Sequence, residues 1–242
     1  MAKARTKATR SARARTSYDT VPYPGSPFAQ THPDRLATHA RLFGLDAPDP
    51  ATCRLLEIGC GDGGNLLPMA HGLPEATFVG IDLSRDAITR ARAQAAAIGV
   101  ENASFAEVSL TAYEPDPLGF DYVVAHGVYS WVDDGVRDAL MALCARALSP
   151  NGIAYVSFNA LPGGRLREIV RELLLAQLTD VGDPAPRLAE ARRLLAWWST
   201  SWGQDPELGT LSRMAATMST ESDALLFHDT LSPVNARVRV EQ

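Results

Sequence analysis

The chain has 242 residues, 46% hydrophobic and 21% charged, enough for one domain with an apolar core or one domain with an added lobe. Its net charge of −5 is uneven: residues 1–17 hold two Lys, four Arg and no acid, which leaves −11 on the other 225 residues, and so acidic a body argues against broad nucleic-acid binding. No run approaches 18 apolar residues, so no membrane span is expected, and Cys53, Cys60 and Cys144 show neither metal-ligand spacing nor a secreted disulfide framework.

In chain order, residues 1–17 (MAKARTKATRSARARTS) read as a basic, disordered, solubilising tail without the apolar core of a signal peptide. Residues 18–50 form an arm and a helix. The arm, SYDTVPYPGSPFAQTHP, is rich in Pro, Gly and aromatics, and THPDRLATHARLFGL reads as the helix. Thr31 is its expected cap, Pro33 and Asp34 suit its first turn, and Leu36, Ala40, Phe43 and Leu45 are its apolar residues.

Residues 51–160 alternate between strand and helix. Short apolar runs predict strands at 54–58, 77–81, 103–108, 120–125 and 153–158, and their lack of alternation fits parallel strands covered on both faces. SRDAITRARAQAAAIG predicts a helix capped by Ser84 and stopped by Gly99; VDDGVRDALMALCARALSPNG predicts another, ending in a Pro-Asn-Gly turn. The fold class is therefore α/β, a Rossmann-like open parallel sheet flanked by helices. Residues 161–242 read as a helical lobe after the strand rhythm stops, with Trp197, Trp198 and Trp202 as its packing residues. His39 reads as a helix-face residue and His71 as a loop residue.

LLEIGCGDGG sits where the first strand turns into a helix, and Gly59, Gly61 and Gly64 satisfy G-x-G-x-x-G. Glycines permit the tight turn and let a ligand approach the backbone. Asp82, 18 residues beyond Gly64 at the end of the second strand, is placed to accept both ribose hydroxyls. Together these predict a nucleoside-cofactor site. Glu57 and Asp62 make the mouth acidic, which favours a ligand carrying an amine or sulfonium over a pyrophosphate; a nicotinamide dehydrogenase is the minor alternative.

Residues 54–64 together with FVGIDLS resemble the cofactor region of class I S-adenosylmethionine-dependent methyltransferases. The resemblance implies S-adenosyl-L-methionine as cofactor. It places Glu57, Gly59, Cys60, Gly61, Gly63 and Asn65 at the methionyl and adenosyl end, Asp82 on the ribose and Leu83 near adenine. Ser109 stands where the family often has an acid for the adenine amine. A longer resemblance runs from Ser17 to about Val240, carried by SYDTVPYPGSPFAQTHPDRL, AHGVYSWV, SFNALPG and FHDTLSPVN. It is to bacterial methyltransferases with a methyltransferase regulatory domain, some of which are protein-lysine methyltransferases. In that group the arm folds over the cofactor, which adds Gln30 and Thr31 to the cofactor residues. Relatives commonly have an aromatic and a polar residue after the final LPG, where this chain has Gly164 and Arg165. They also continue into strands six and seven. Against them the chain looks shortened at its C-terminus, which implies a rebuilt end, a homo-oligomer or a partner covering the sheet edge beside strand five.

Methyl transfer from a sulfonium requires a nucleophile aligned with the methyl carbon. His126 follows the fourth strand, where one residue can face both cofactor and acceptor; it is a candidate base, acceptor positioner and cofactor neighbour, or else a hydrogen-bonded structural histidine. Tyr129 and Tyr18 join it as catalytic candidates, and Tyr23, Trp131, Asn159 and His228 are the substrate-binding candidates. No metal set is present, since the histidines and the acids near them lack ligand spacing. The expected function is cytoplasmic methyl transfer to a protein lysine or another amine. The alternatives are small-molecule O- or N-methylation and a non-catalytic fold that binds cofactor or protein.

Overall fold

The computed structural model describes residues 20–239. Tyr18 and the basic tail lie outside the described residues. The elements are α1 Pro33–Leu42, β1 Arg54–Ile58, α2 Leu66–Gly72, β2 Thr77–Asp82, α3 Arg85–Ile98, β3 Ala103–Glu107, β4 Phe120–Ala125, α4 Asp134–Ala147, β5 Leu148–Val156, β6 Asn159–Leu161, α5 Arg165–Gln177, α6 Pro184–Ser201, α7 Gly209–Ser219 and β7 Arg237–Arg239.

Five strands form one parallel sheet in the order β3-β2-β1-β4-β5. This is the expected open α/β architecture. β1 lies at its centre, with Glu57 paired to Gly80 on one side and Val124 on the other. The apolar strand residues divide between two faces. Leu55, Phe78, Tyr122 and Val124 pack with Leu36, Ala37, Leu66, Met69, Ile88 and Ala91 from α1, α2 and α3. Leu56, Ile58, Ile81, Phe120 and Val123 pack with Leu140, Leu143, Cys144 and Ala147 from α4 and its end. Each fully buried Leu, Ile, Val or Phe contributes about 1.5–3 kcal/mol, so the sheet is held from both sides.

The predicted cap and stop of α3 are present. The Ser84 hydroxyl accepts from the Ala87 N–H at 3.1 Å, and Gly99 closes α3 in the left-handed conformation. Asp133 caps α4 by accepting from the Val136 N–H at 3.0 Å.

Several expectations are corrected. The N-cap of α1 is His32, whose Nδ1 accepts from the Asp34 N–H at 3.3 Å; Thr31 is instead buried with its hydroxyl turned inward. Phe43 and Leu45, at the end of that helix, are exposed, because only Leu36, Ala37 and Ala40 share the face that meets the sheet. β5 starts at Leu148 and ends at Val156, earlier than expected. Its register jumps from Phe120–Leu148 to Tyr122–Ile153, so the expected Pro-Asn-Gly turn is a bulge within the strand, with Asn151 at φ 64°. His71 falls in the last turn of α2, and Trp197 is exposed while Trp198 is buried and stacked on Trp202 at 5.0 Å.

Strand pairing does not end at Asn159. β6 and β7 form a two-stranded parallel ribbon, with Asn159 opposite Arg237. Three-residue strands carry too little alternation to be read from sequence. The rest of the C-terminal part is helical, as expected, and has its own core of Val170, Leu174, Leu194, Leu195, Trp198, Ala215, Met218 and Leu226. A wide turn over Leu226–Thr230, closed by the Leu231 N–H donating to Leu226 O, brings His228 and Asp229 toward the arm. No described helix is long and apolar enough to cross a membrane.

Candidate active site

The loop after β1 turns on three glycines with positive φ: Gly59 at 74°, Gly61 at 54° and Gly63 at 82°. That conformation is open to glycine and costly for other residues. Gly59 also lies against Val128, which a Cβ would approach to 2.6 Å. The Gly59 N–H donates to Ile81 O at 2.8 Å, and the Gly61 N–H to Asp82 Oδ2 at 2.9 Å. Asp82 Oδ1 accepts from the Ser84 N–H at 2.8 Å. Its carboxylate therefore ties the glycine loop to the start of α3.

Glu57, at 3% exposure, lies beneath this loop. Its Oε1 accepts from Asn65 Nδ2 at 2.7 Å, while Oε2 is buried with no hydrogen-bond partner. Burial pushes the Glu57 carboxyl up to about 8, against the Asn65 hydrogen bond, with the charge of Asp82 adding to the rise. A buried acid with one bare oxygen is costly until a donor, best a cation, reaches it.

The arm lies across the same loop. At Gly25 a Cβ would come within 2.8 Å of Gly64 Cα, so the two backbones touch. The Phe28 N–H donates to Asn65 Oδ1 at 2.8 Å, and Thr31 and Asn65 exchange contacts at 3.0 and 3.2 Å. One chain of bonds thus runs from the arm through Asn65 to Glu57. The Phe28 ring stacks obliquely on His126 with centroids 4.0 Å apart, and Tyr155 lies at 6.0 Å from the same imidazole. His126 Nδ1 is buried without a partner, and burial lowers the imidazole pKa, so the ring is neutral near pH 7.

Beyond the strand ends, a cavity of about 260 Å³ is lined by Trp131, Asn159, Gly164, Arg167, Glu221, Asp229, Asn235 and Arg237. Arg167 makes a two-pronged pair with Glu221 at 2.6 and 2.8 Å, and Arg237 pairs with Glu168. Asn159 Nδ2 donates to Asn235 Oδ1 at 2.9 Å. Tyr23 reaches from the arm to Asp229 at 3.4 Å, and its ring meets His228 edge-on. The His228 Nε2 lies 2.6 Å from Val21 O.

The expected site residues therefore divide into groups. Glu57, Gly59, Gly61, Gly63, Asn65 and Asp82 come together at the loop. The Cys60 side chain is buried under the loop, against Gly80. Leu83 is exposed beside Asp82, and Ser109 follows β3 with its hydroxyl 2.8 Å from Thr111 Oγ1. Gln30 is exposed on the arm, whereas Thr31 acts on Asn65. Trp131 and Asn159 line the cavity; His228 and Tyr23 brace its wall. Tyr129 packs near Phe158 at 6.2 Å and under the Arg137 guanidinium at 5.8 Å. Arg167, Glu221, Asn235 and Arg237 were not foreseen. They lie far from the glycine loop in sequence, and only the departure at Gly164 pointed nearby: a Cβ there would collide with the Arg237 guanidinium.

A methyltransferase-domain family matches residues 56–154. The chain is 39% identical to the uncharacterized protein RP789 of Rickettsia prowazekii over 91% of this chain and 40% of that protein. It is 34% identical to RP028 of the same organism over 90% of this chain and 88% of that one. PKMT2 from Rickettsia typhi, solved in complex with AdoHcy, superposes with a TM-score of 0.80 at 34% identity, over 89% of this chain and 42% of PKMT2. The chain belongs to the class I S-adenosylmethionine-dependent methyltransferases. It spans about two fifths of the length of RP789 and of PKMT2. The cofactor of this class, S-adenosylmethionine, fits the residues present. Its α-ammonium matches the bare, buried Oε2 of Glu57, its ribose hydroxyls match the carboxylate of Asp82, and the positive-φ glycines leave room for its close approach.

Proposed function

We propose that this methyltransferase methylates an amine nitrogen, with the lysine side chain of a protein as the foremost acceptor. The observation that carries the methyl-transfer part of the reading is Glu57: a buried carboxyl with an unpaired oxygen beside a glycine loop calls for a cationic cofactor. When bound, S-adenosylmethionine supplies a methyl carbon that the acceptor's lone pair attacks as the carbon–sulfur bond breaks and its electrons pass to sulfur. Glu57, oriented by Asn65, holds the amino end of the cofactor, and Asp82 holds the ribose. Leu83 would pack beside the adenine, and the Ser109 hydroxyl, 2.8 Å from Thr111 Oγ1, would be the polar group on that side. His126, neutral and clamped by Phe28, sits where it orients the incoming nitrogen, and the proton leaves to solvent. The arm excludes water by lying across the loop. The likeness to PKMT2 supports an amine acceptor over a hydroxyl or carboxylate.

The test incubates the full chain with methyl-labelled cofactor and a bacterial lysate. Label recovered as methyl-lysine in protein is the expected result. Label confined to small metabolites overturns the protein acceptor, and bound cofactor with no transfer overturns catalysis.

A further inference from the structure

We propose that the cavity between the strand ends and the helical lobe recognises a primary alkylammonium group, with the Asp229 carboxylate as its counter-ion. The inference rests on the methyl-transfer reading above and adds to it the place and chemistry of acceptor recognition.

The charges lining the cavity are mostly spent. Arg167 is bound at both prongs by Glu221 and also donates to Thr230 Oγ1 at 2.8 Å. Arg237 is held by Glu168, which Arg171 also contacts at 3.1 Å. Asp229 differs: no cationic group lies within ion-pair distance of its carboxylate among the described residues, and its one hydrogen bond is a long contact from the Tyr23 hydroxyl at 3.4 Å. Asp229 is therefore the lining carboxylate without an ion-pair partner among the described residues, while Arg237 and Arg171 share the single carboxylate of Glu168. An ammonium meets the Asp229 carboxylate there, whereas both lining guanidiniums, Arg167 and Arg237, already hold a carboxylate. Trp131 adds an aromatic face on the same wall, suited to an alkyl chain or its cationic end. The amide groups of Asn159 and Asn235, which also line the cavity, are bonded to each other.

The cavity adjoins the cofactor loop through the arm. Tyr23 touches Asp229, and two residues on, Gly25 touches Gly64. Trp131 and Asn159 follow β4 and β5 at their carboxyl ends, the edge where open parallel sheets hold their ligands. The titration of Asp229 agrees. Burial raises its carboxyl to about 6; Arg167 opposes this, Glu221 adds to it and the Tyr23 hydroxyl opposes it. The groups facing it are Arg167 from α5, Glu221 after α7, Tyr23 from the arm, its neighbour His228, and Arg237 across the cavity. A carboxylate in such surroundings gains from a cation.

The test is equilibrium binding to the full chain saturated with S-adenosylhomocysteine. The probes are a short lysine-containing peptide, the same peptide with acetyl-lysine, and n-butylamine. The wild type is expected to bind the lysine peptide at least tenfold more tightly than the acetylated one. Asp229→Asn is expected to remove that preference while leaving the S-adenosylhomocysteine affinity unchanged. n-Butylamine is expected to compete with the lysine peptide, and its failure to compete overturns the proposal. Because the carboxyl protonates as pH falls through about 6, the wild-type preference is full above that pH and lost below it. A wild type that does not distinguish the two peptides, or an Asn variant that still does, overturns the proposal. Failure to bind S-adenosylhomocysteine at all strikes the methyltransferase reading instead, and is measured separately on the same sample.

Discussion

A carboxyl at Glu57 has one oxygen bound by Asn65 and the other buried without a donor, so in the free protein it holds its proton near neutral pH. A cofactor ammonium at that oxygen reverses this and ionises the acid. Binding of S-adenosylhomocysteine near pH 7 is then expected to release about one proton, seen as a binding enthalpy that depends on the buffer. Glu57→Gln should abolish that dependence and weaken binding roughly 10- to 100-fold, the scale of a charge-assisted hydrogen bond. The sign for stability is also fixed. The folded carboxyl titrates at about 8 against an ordinary 4.5, so the folded state carries the extra proton between those values and loses stability as pH rises through them. Thermal melts of ligand-free wild type should show that decline, and the Gln variant should not. Glu57 and Asp82 were legible because a strand, a glycine turn and an acid at fixed offset leave few alternatives. Glu221 and Arg167 were not, because they are joined only by the packing of the lobe.

The arm is the element that links the two halves of the site. It touches the glycine loop at Gly25, Asn65 at Phe28 and Thr31, His126 at Phe28, and the lobe at Val21 and Tyr23. Gly25→Ala puts a Cβ against the backbone of Gly64 and should lift the arm. The expected result is about tenfold weaker S-adenosylhomocysteine binding by calorimetry, with faster proteolysis of the arm and little change in Tm. The elements of the sheet were readable because buried parallel strands are continuous apolar runs and because Ser84 and Gly99 provide clear helix ends. The misread elements share a cause. His32 displaced Thr31 as a cap because Thr31 is drawn inward by Asn65, and the β6–β7 ribbon is too short to carry a period.

At the scale of the molecule, two hydrophobic cores are joined by polar contacts. The sheet has its layers of helices, and the lobe has a separate core around Leu195 and Trp198. Ser130 stitches them: its hydroxyl accepts from the Asn159 N–H at 2.8 Å, and its carbonyl from the Ala236 N–H at 2.7 Å. Leu195→Ala in the fully buried lobe core should cost about 2–5 kcal/mol in denaturant unfolding. Because the glycine loop and Asp82 belong to the sheet, S-adenosylhomocysteine binding should weaken far less in this variant than in Glu57→Gln. The central claim is that the acidic, glycine-lined mouth between β1 and β2 is built for a cationic adenosyl cofactor. Calorimetric titration of the full chain with S-adenosylhomocysteine, in two buffers of different ionisation enthalpy near pH 7, tests it most directly. One-to-one binding with release of about one proton is predicted. Absence of binding, or binding of NAD in its place, would contradict it.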